Sequence, residues 1–322
     1  MTQMLALRDK VLAGKRLNDT ETLALVRAEG PYVYELFSCA NYIRQFYRKD
    51  CVDLCSIMGV LSGGCSEDCA FCAQSISSNA DIDSYPLKDK DEVLMTAQGA
   101  KDSGAKRFCL VTGGRAVSKR SLSDIAAMLS DISAMGLLPC ATLGLVDIDD
   151  LTMLKQAGLN RYHHNIEASE SFFPAICTTH TFKDKLKTIE AVKQTGLSLC
   201  SGGIFGLGES WQDRIDMAKV IRDVEANSVP INFLTPIKGT AMGGRSTLNP
   251  IEALKIISLY RFMLPEREIR ICGGRMQTLG QCNSFIFMAG ADGLLIGNYL
   301  TTRGRAPSED LELIKIVGLR PC

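Results

Sequence analysis

The chain has 322 residues, and 36 Lys plus Arg balance 36 Asp plus Glu, so it lacks the basic excess of a nucleic-acid binder. Hydrophobic residues at 46% and charged residues at 22% suit a globular protein with a sizeable core, and no run of eighteen apolar residues offers a membrane span. The stretch 1–17 breaks early into charge, unlike a secretory signal, so the expected setting is the reducing cytoplasm, with no disulfide framework for the thirteen cysteines.

The first fifty or so residues read as flanking helices. From residue 52 onward, short β-rich runs alternate with amphipathic stretches. Strands are expected at 52–60, 107–112, 138–143, 161–166, 197–204, 229–234, 268–272 and 293–296. Helices are expected at 92–105, 121–135, 149–157, 183–195, 211–226, 250–263 and 277–289. Gly104, Gly136, Gly158 and Gly196 stand where helices should terminate. Eight βα units predict an α/β fold, a TIM-type (β/α)8 barrel with N-terminal flanking helices. A doubly wound open sheet is the alternative, but it has less use for an eighth unit. With no low-complexity linker, residues 1–322 read as one domain, about 1–50 helical and about 52–322 barrel.

Directly after the first strand comes Gly63-Gly64-Cys65-Ser66-Glu67-Asp68-Cys69-Ala70-Phe71-Cys72. In a barrel this segment lies at the C-terminal ends of the strands, where active sites sit. Three thiolates spaced CxxxCxxC can hold three irons of a 4Fe-4S cluster and leave the fourth open. An open iron can chelate S-adenosylmethionine (SAM) and reduce its sulfonium, giving a 5′-deoxyadenosyl radical. Phe71 fits the radical-SAM form of the motif, which has an aromatic residue before the last cysteine. A structural zinc site is the competing reading, but no further His or Cys lies close in sequence to complete it.

The blocks GGCSEDCAFCAQS, RFCLVTGGR, LPCATLG, YHHNIEAS, LCSGGIFGLGES, VPINFLTPIKGT, IRICGGR and FMAGADGLLIGNYLTT, in this order, resemble the biotin synthase family of the radical-SAM superfamily. The resemblance implies conversion of dethiobiotin to biotin, with sulfur drawn from an auxiliary iron–sulfur cluster. It also implies an electron donor such as flavodoxin or ferredoxin, and a homodimer. It places Gly113 and Gly114 at the SAM amino group, Asn165 and Glu167 at the ribose, Lys185 at the methionyl carboxylate and Ile204 on adenine. Asn165, Asn232, Thr301 and Thr302 match contacts to the ureido ring, which an amide can serve by donating and accepting in one plane.

Cys109, Cys140 and Cys200 match the cysteines that hold the auxiliary cluster. The better-known cluster there is 2Fe-2S with an arginine as fourth ligand, and Arg270 matches that arginine. Cys272 lies two residues beyond it on the same strand face, and Cys55 lies on the first strand. These two additions favour a four-iron auxiliary cluster, with the fourth ligand open among Cys55, Cys272 and Arg270; the alternative is that they are small barrel-lining residues. Cys39, Cys51, Cys177, Cys282 and Cys322 receive no role, and His163 reads as a hydrogen-bonded barrel histidine. Rival functions are a radical-SAM mutase or lyase, a metallocofactor-maturation enzyme, or a non-catalytic iron–sulfur electron carrier or sensor.

Overall fold

A computed structural model describes residues 3–322. Three helices lead the chain: α1 (Gln3–Leu12), α2 (Asp19–Val26) and α3 (Pro31–Arg48). Asn18 and Glu21 form a reciprocal capping box at the start of α2, and Pro31 opens α3, where its missing N–H costs nothing. Val33, Leu36, Phe37, Ala40 and Ile43 give α3 its buried stripe, which packs on the barrel helix α9 (Pro250–Met263).

The strands are β1 (Cys51–Leu61), β2 (Arg107–Thr112), β3 (Leu138–Thr142), β4 (Arg161–His163), β5 (Ser198–Cys200), β6 (Gly203–Phe205), β7 (Ser228–Phe233), β8 (Glu268–Ile271), β9 (Gly293–Leu295) and β10 (Arg320–Pro321). Every pairing among them is parallel, and β9 returns to β1 through Asp53↔Gly293 and Cys55↔Leu295. The sheet is therefore a closed (β/α)8 barrel, and closure removes the doubly wound alternative. The helices between strands are α4 (Lys90–Asp102), α5 (Lys119–Ala134), α6 (Ile148–Gln156), α7 (Phe182–Thr195), α8 (Trp211–Asp223) and α9, followed by α10 (Arg275–Leu279), α11 (Phe285–Met288) and α12 (Pro307–Ile316).

The eight expected strands lie in their expected order, with local differences. The expected strand 197–204 is two pieces, because Ser201 and Gly202 interrupt the ladder: β5 pairs with β4 and β6 pairs with β7. Gly202 lies so close to β7 that a Cβ there would stand 2.0 Å from the Pro230 carbonyl oxygen. The expected helix 277–289 is broken at Gly280, where a 3-10 segment (Gly280–Ser284) separates α10 from α11. The four helix-ending glycines all have positive φ, between 68° and 100°.

One cysteine expectation is corrected. Cys51 and Cys322 form a disulfide that fastens β10 to the start of β1, which sequence spacing could not disclose. Among the described residues, no helix is long and apolar enough to cross a membrane.

Candidate active site

A cavity of about 370 Å³ occupies the barrel and opens toward the C-terminal ends of the strands. Phe71, Cys72, Asn165, Glu167, Ile204, Asn232, Thr301 and Thr302 line it together with Cys55, Cys109, Cys140, Cys200, Arg270 and Cys272. Cys65, Cys69, Gly113, Gly114 and Lys185 lie outside that lining.

The loop after β1 carries the three motif cysteines, all partly exposed. Its ends are pinned by the antiparallel bridge Ser62↔Tyr85, and the Cys72 amide donates to the Cys69 carbonyl at 3.0 Å. The two acids between the first cysteines tie the loop down. Asp68 accepts from the backbone N–H groups of Thr178 and Thr179 at 2.9 and 3.2 Å, and from both threonine hydroxyls. Those bonds, led by the Thr178 hydroxyl, hold its carboxyl well below the usual range. Glu67 is buried and accepts from Thr179 Oγ1 at 2.7 Å, from His180 Nδ1 and from Arg115 Nη1 at 3.3 Å.

Sequence reading missed this anchorage because residues 67–68 and 177–180 are remote in the chain. The fold also brings Cys177 Sγ to 3.9 Å from Cys69 Sγ. The only available signal was the Cys177-x-x-His180 spacing.

At the second strand, the Gly113 amide donates to the Leu61 carbonyl at 2.8 Å, and the Gln74 side chain lies so close that a Cβ at 113 would meet its Oε1 at 2.0 Å. Glu167 has φ 67°, a left-handed conformation rare for a non-glycine residue. Its carbonyl accepts from Ile204 N at 3.0 Å, and its carboxylate accepts from Asn165 Nδ2 at 3.3 Å. Burial pushes the Glu167 carboxyl above its usual range, while the charge of Lys185 on α7 pulls it back.

Asn165 Oδ1 accepts from Gly202 N at 3.1 Å. Asn232 donates to the Gly203 carbonyl at 3.2 Å and accepts from Gly273 N at 3.0 Å. Each amide is oriented by backbone, and Asn232 keeps one N–H and one lone pair for a ligand. Asn232 pairs with Ile204, four residues further toward the strand's C-terminal end than the Ser228↔Cys200 pair, so the amide sits nearer the mouth than Cys200 does.

Deeper in the lumen, Cys55, Cys109, Cys140 and Cys272 cluster with Leu295. Cys109 and Cys140 are direct register partners, and Cys200 pairs with His163, whose Nδ1 is 3.3 Å from the Cys200 sulfur. Burial lowers the His163 pKa to about 4, so the ring is neutral. Burial likewise raises the thiols, Cys140 to about 11 and Cys272 to about 12.

Beneath them lies an ion network. Arg270 Nη2 pairs with Asp53 and Glu268, and its Nη1 donates to the carbonyls of Asp53 and Leu294 at 3.2 and 2.9 Å. Arg161 reaches Glu268 at 3.3 Å, and Arg107 lies 3.7 Å from Asp53. Three arginines against two carboxylates leave the floor positive, and burial of the Arg270 guanidinium is outweighed by Glu268 and Asp53, which keep it protonated. This donor set fits anionic iron–sulfur groups: partly exposed thiols at the mouth, buried thiols within, and positive charge below.

Residues 60–221 match the Radical SAM superfamily, and residues 230–320 match the Biotin and Thiamin Synthesis associated domain. The chain is 50% identical over 288 residues to a biotin synthase of Thermodesulfovibrio yellowstonii, covering 89% of this chain and 91% of that one. It is 42% identical over 318 residues to a biotin synthase of Pelobacter propionicus, covering 98% and 97%. The chain belongs to the biotin synthase family. Its fold also resembles methylornithine synthase (TM-score 0.85, 21% identity, 98% of this chain and 97% of that chain). Another structure with this fold is the FeFe-hydrogenase maturase of Carboxydothermus hydrogenoformans (TM-score 0.82, 16% identity, 99% and 79%). Of the motif cysteines, Cys72 borders the cavity that the five lumen cysteines also line.

Proposed function

We propose that this chain converts dethiobiotin to biotin, using Cys65, Cys69 and Cys72 for a SAM-binding 4Fe-4S cluster and the lumen thiols for an auxiliary cluster. The observation that carries this reading is the shared cavity, which Cys72 borders at the mouth and five cysteines border within. When bound, the cofactors supply the 5′-deoxyadenosyl radical and the sulfide to be inserted. The chain's own residues hold the reactants in line and keep water out. Asn165 and Asn232, oriented by Gly202, Gly203 and Gly273, would present amides to the ureido ring, and Thr301 and Thr302 border the same cavity. Glu167, Gly113, Gly114, Lys185, Ile204 and Phe71 would hold SAM.

For the auxiliary cluster, the reading is a four-iron type held by Cys109, Cys140 and Cys200 with Cys272, or failing that Cys55, as the fourth ligand. Support comes from Arg270, whose two Nη groups are committed to Asp53, Glu268 and Leu294. The reading further takes the chain as one domain, a cytoplasmic homodimer reduced by a flavodoxin or ferredoxin. Anaerobically reconstituted protein given SAM, dethiobiotin and a reductant should yield biotin and 5′-deoxyadenosine together. 5′-Deoxyadenosine without biotin would favour a mutase or lyase, and neither product would favour an electron carrier.

A further inference from the structure

Cys69, Cys177 and His180 form a second ligand set, of which the reaction uses Cys69 alone. Their donor atoms all lie within 4.8 Å of one another, and Cys177 and His180 are buried. Two thiolates at about 2.3 Å from one tetrahedral ion stand about 3.8 Å apart; the Cys69 and Cys177 sulfurs are 3.9 Å apart. His180 Nδ1 and Nε2 lie 3.2 and 3.8 Å from the Cys177 sulfur, and the Nε2 distance is near the separation of about 3.6 Å that a shared tetrahedral ion gives. Its other ring nitrogen, Nδ1, is bonded to the buried Glu67 carboxylate, the outer partner that orients a metal-bound imidazole. Asp68 Oδ1 accepts from the Cys177 thiol at 3.3 Å.

We propose that the cluster-free chain binds one borderline-soft divalent cation, zinc or ferrous iron, through Cys69, Cys177 and His180. Thiolate and imidazole suit such ions, and binding releases the thiol protons to solvent. Because Cys69 also belongs to the CxxxCxxC loop, this ion and the SAM cluster exclude one another. The exclusion rests on the cluster reading of Cys69, whereas the binding itself does not. A chain loaded with zinc here would be blocked from cluster assembly until the zinc left.

The test uses cobalt(II) as a spectroscopic probe on full-length cluster-free protein under anaerobic conditions. Wild type should show thiolate-to-cobalt charge transfer and tetrahedral d–d bands. Cys177→Ser and His180→Ala should each weaken that binding at least tenfold, while Cys65→Ala and Cys72→Ala leave it within twofold. Cobalt taken by the lumen thiols contributes alike to all four variants. In wild type, loading the SAM cluster should lower cobalt affinity at least tenfold, and one equivalent of prebound zinc should slow cluster assembly and be released to a chelating dye as it proceeds. Equal losses in Cys65→Ala and Cys177→Ser would assign the cobalt to the motif loop and overturn the proposal. Undiminished affinity in cluster-loaded protein would overturn the sharing of Cys69.

Discussion

A guanidinium can ligate iron only after losing a proton, and Arg270 is held protonated by two carboxylates on the lumen floor. A thiol is the better ligand wherever one is in reach, because its proton is far more easily displaced. Reconstituted protein should therefore carry about eight irons per chain, four per cluster. Cys272→Ser should lose auxiliary iron and biotin formation yet keep uncoupled SAM cleavage, and Arg270→Ala should keep auxiliary iron. A 2Fe-2S Mössbauer signature that vanishes in Arg270→Ala and survives Cys272→Ser and Cys55→Ser would refute this assignment. At the substrate, Asn232→Ala removes a pre-oriented amide and should weaken dethiobiotin about tenfold while leaving SAM nearly unchanged; equal losses by calorimetry would move Asn232 away from the substrate. The convergence of Cys55, Cys72, Cys109, Cys140, Cys200 and Cys272 on one cavity was readable in sequence, because each lies on or just after a barrel strand. The floor was not, since Asp53 and Arg270 are 217 residues apart and neither has a local pattern.

At the scale of elements, hydrophobic runs and glycine stops announced most strands and helices. The break between β5 and β6 escaped because it depends on how closely Gly202 approaches Pro230, a tertiary fact. The anchorage of the motif loop escaped for the same reason, and it is testable. Asp68→Ala removes the acceptor for the amides and hydroxyls of Thr178 and Thr179, so the SAM cluster should be lost several times faster on exposure to chelator, while the barrel's melting midpoint moves little. Unchanged chelation kinetics would count against a positioning role.

Helix α8 offers a second case. Asp213 closes a capping box with Ser210 and accepts from Ser169 at 2.6 Å. Burial raises its pKa, but hydrogen bonds from Ser169 and Ser210 prevail and lower it to about 2. A depressed carboxyl stabilises the fold above its unfolded pKa, near 4, and that contribution fades as pH falls from about 4 to about 2. Asp213→Ala in cluster-free protein should cost about 1–2 kcal/mol at neutral pH, and this difference should shrink through that acid range. A difference independent of pH would show that the carboxylate charge is not involved.

For the molecule as a whole, eight repeating units implied closure, and β9 meeting β1 completes it. What the pattern could not carry is the last tie. β10 spans two residues with no periodicity, yet Arg320 N donates to the Asp50 carbonyl at 2.9 Å and Cys322 N to the Val52 carbonyl at 3.1 Å. The Cys51–Cys322 disulfide links positions 271 residues apart, almost the entire barrel. Cross-linking so long a loop restricts the unfolded chain, and the chain-entropy account puts a loop of this length at about 5–6 kcal/mol. In a chain of this size, 1 kcal/mol shifts the melting midpoint by about 2 °C, so reduction should lower it by about 10–12 °C. Cys322 is exposed, which leaves the bond open to a small reductant. Melting cluster-free protein with and without dithiothreitol measures the effect, and Cys322→Ser should melt at the reduced wild-type temperature in both conditions. Coincident midpoints for oxidised and reduced wild type, with the bond verified by peptide mass mapping, would show that closure of the barrel through β1 and β9 alone sets its stability.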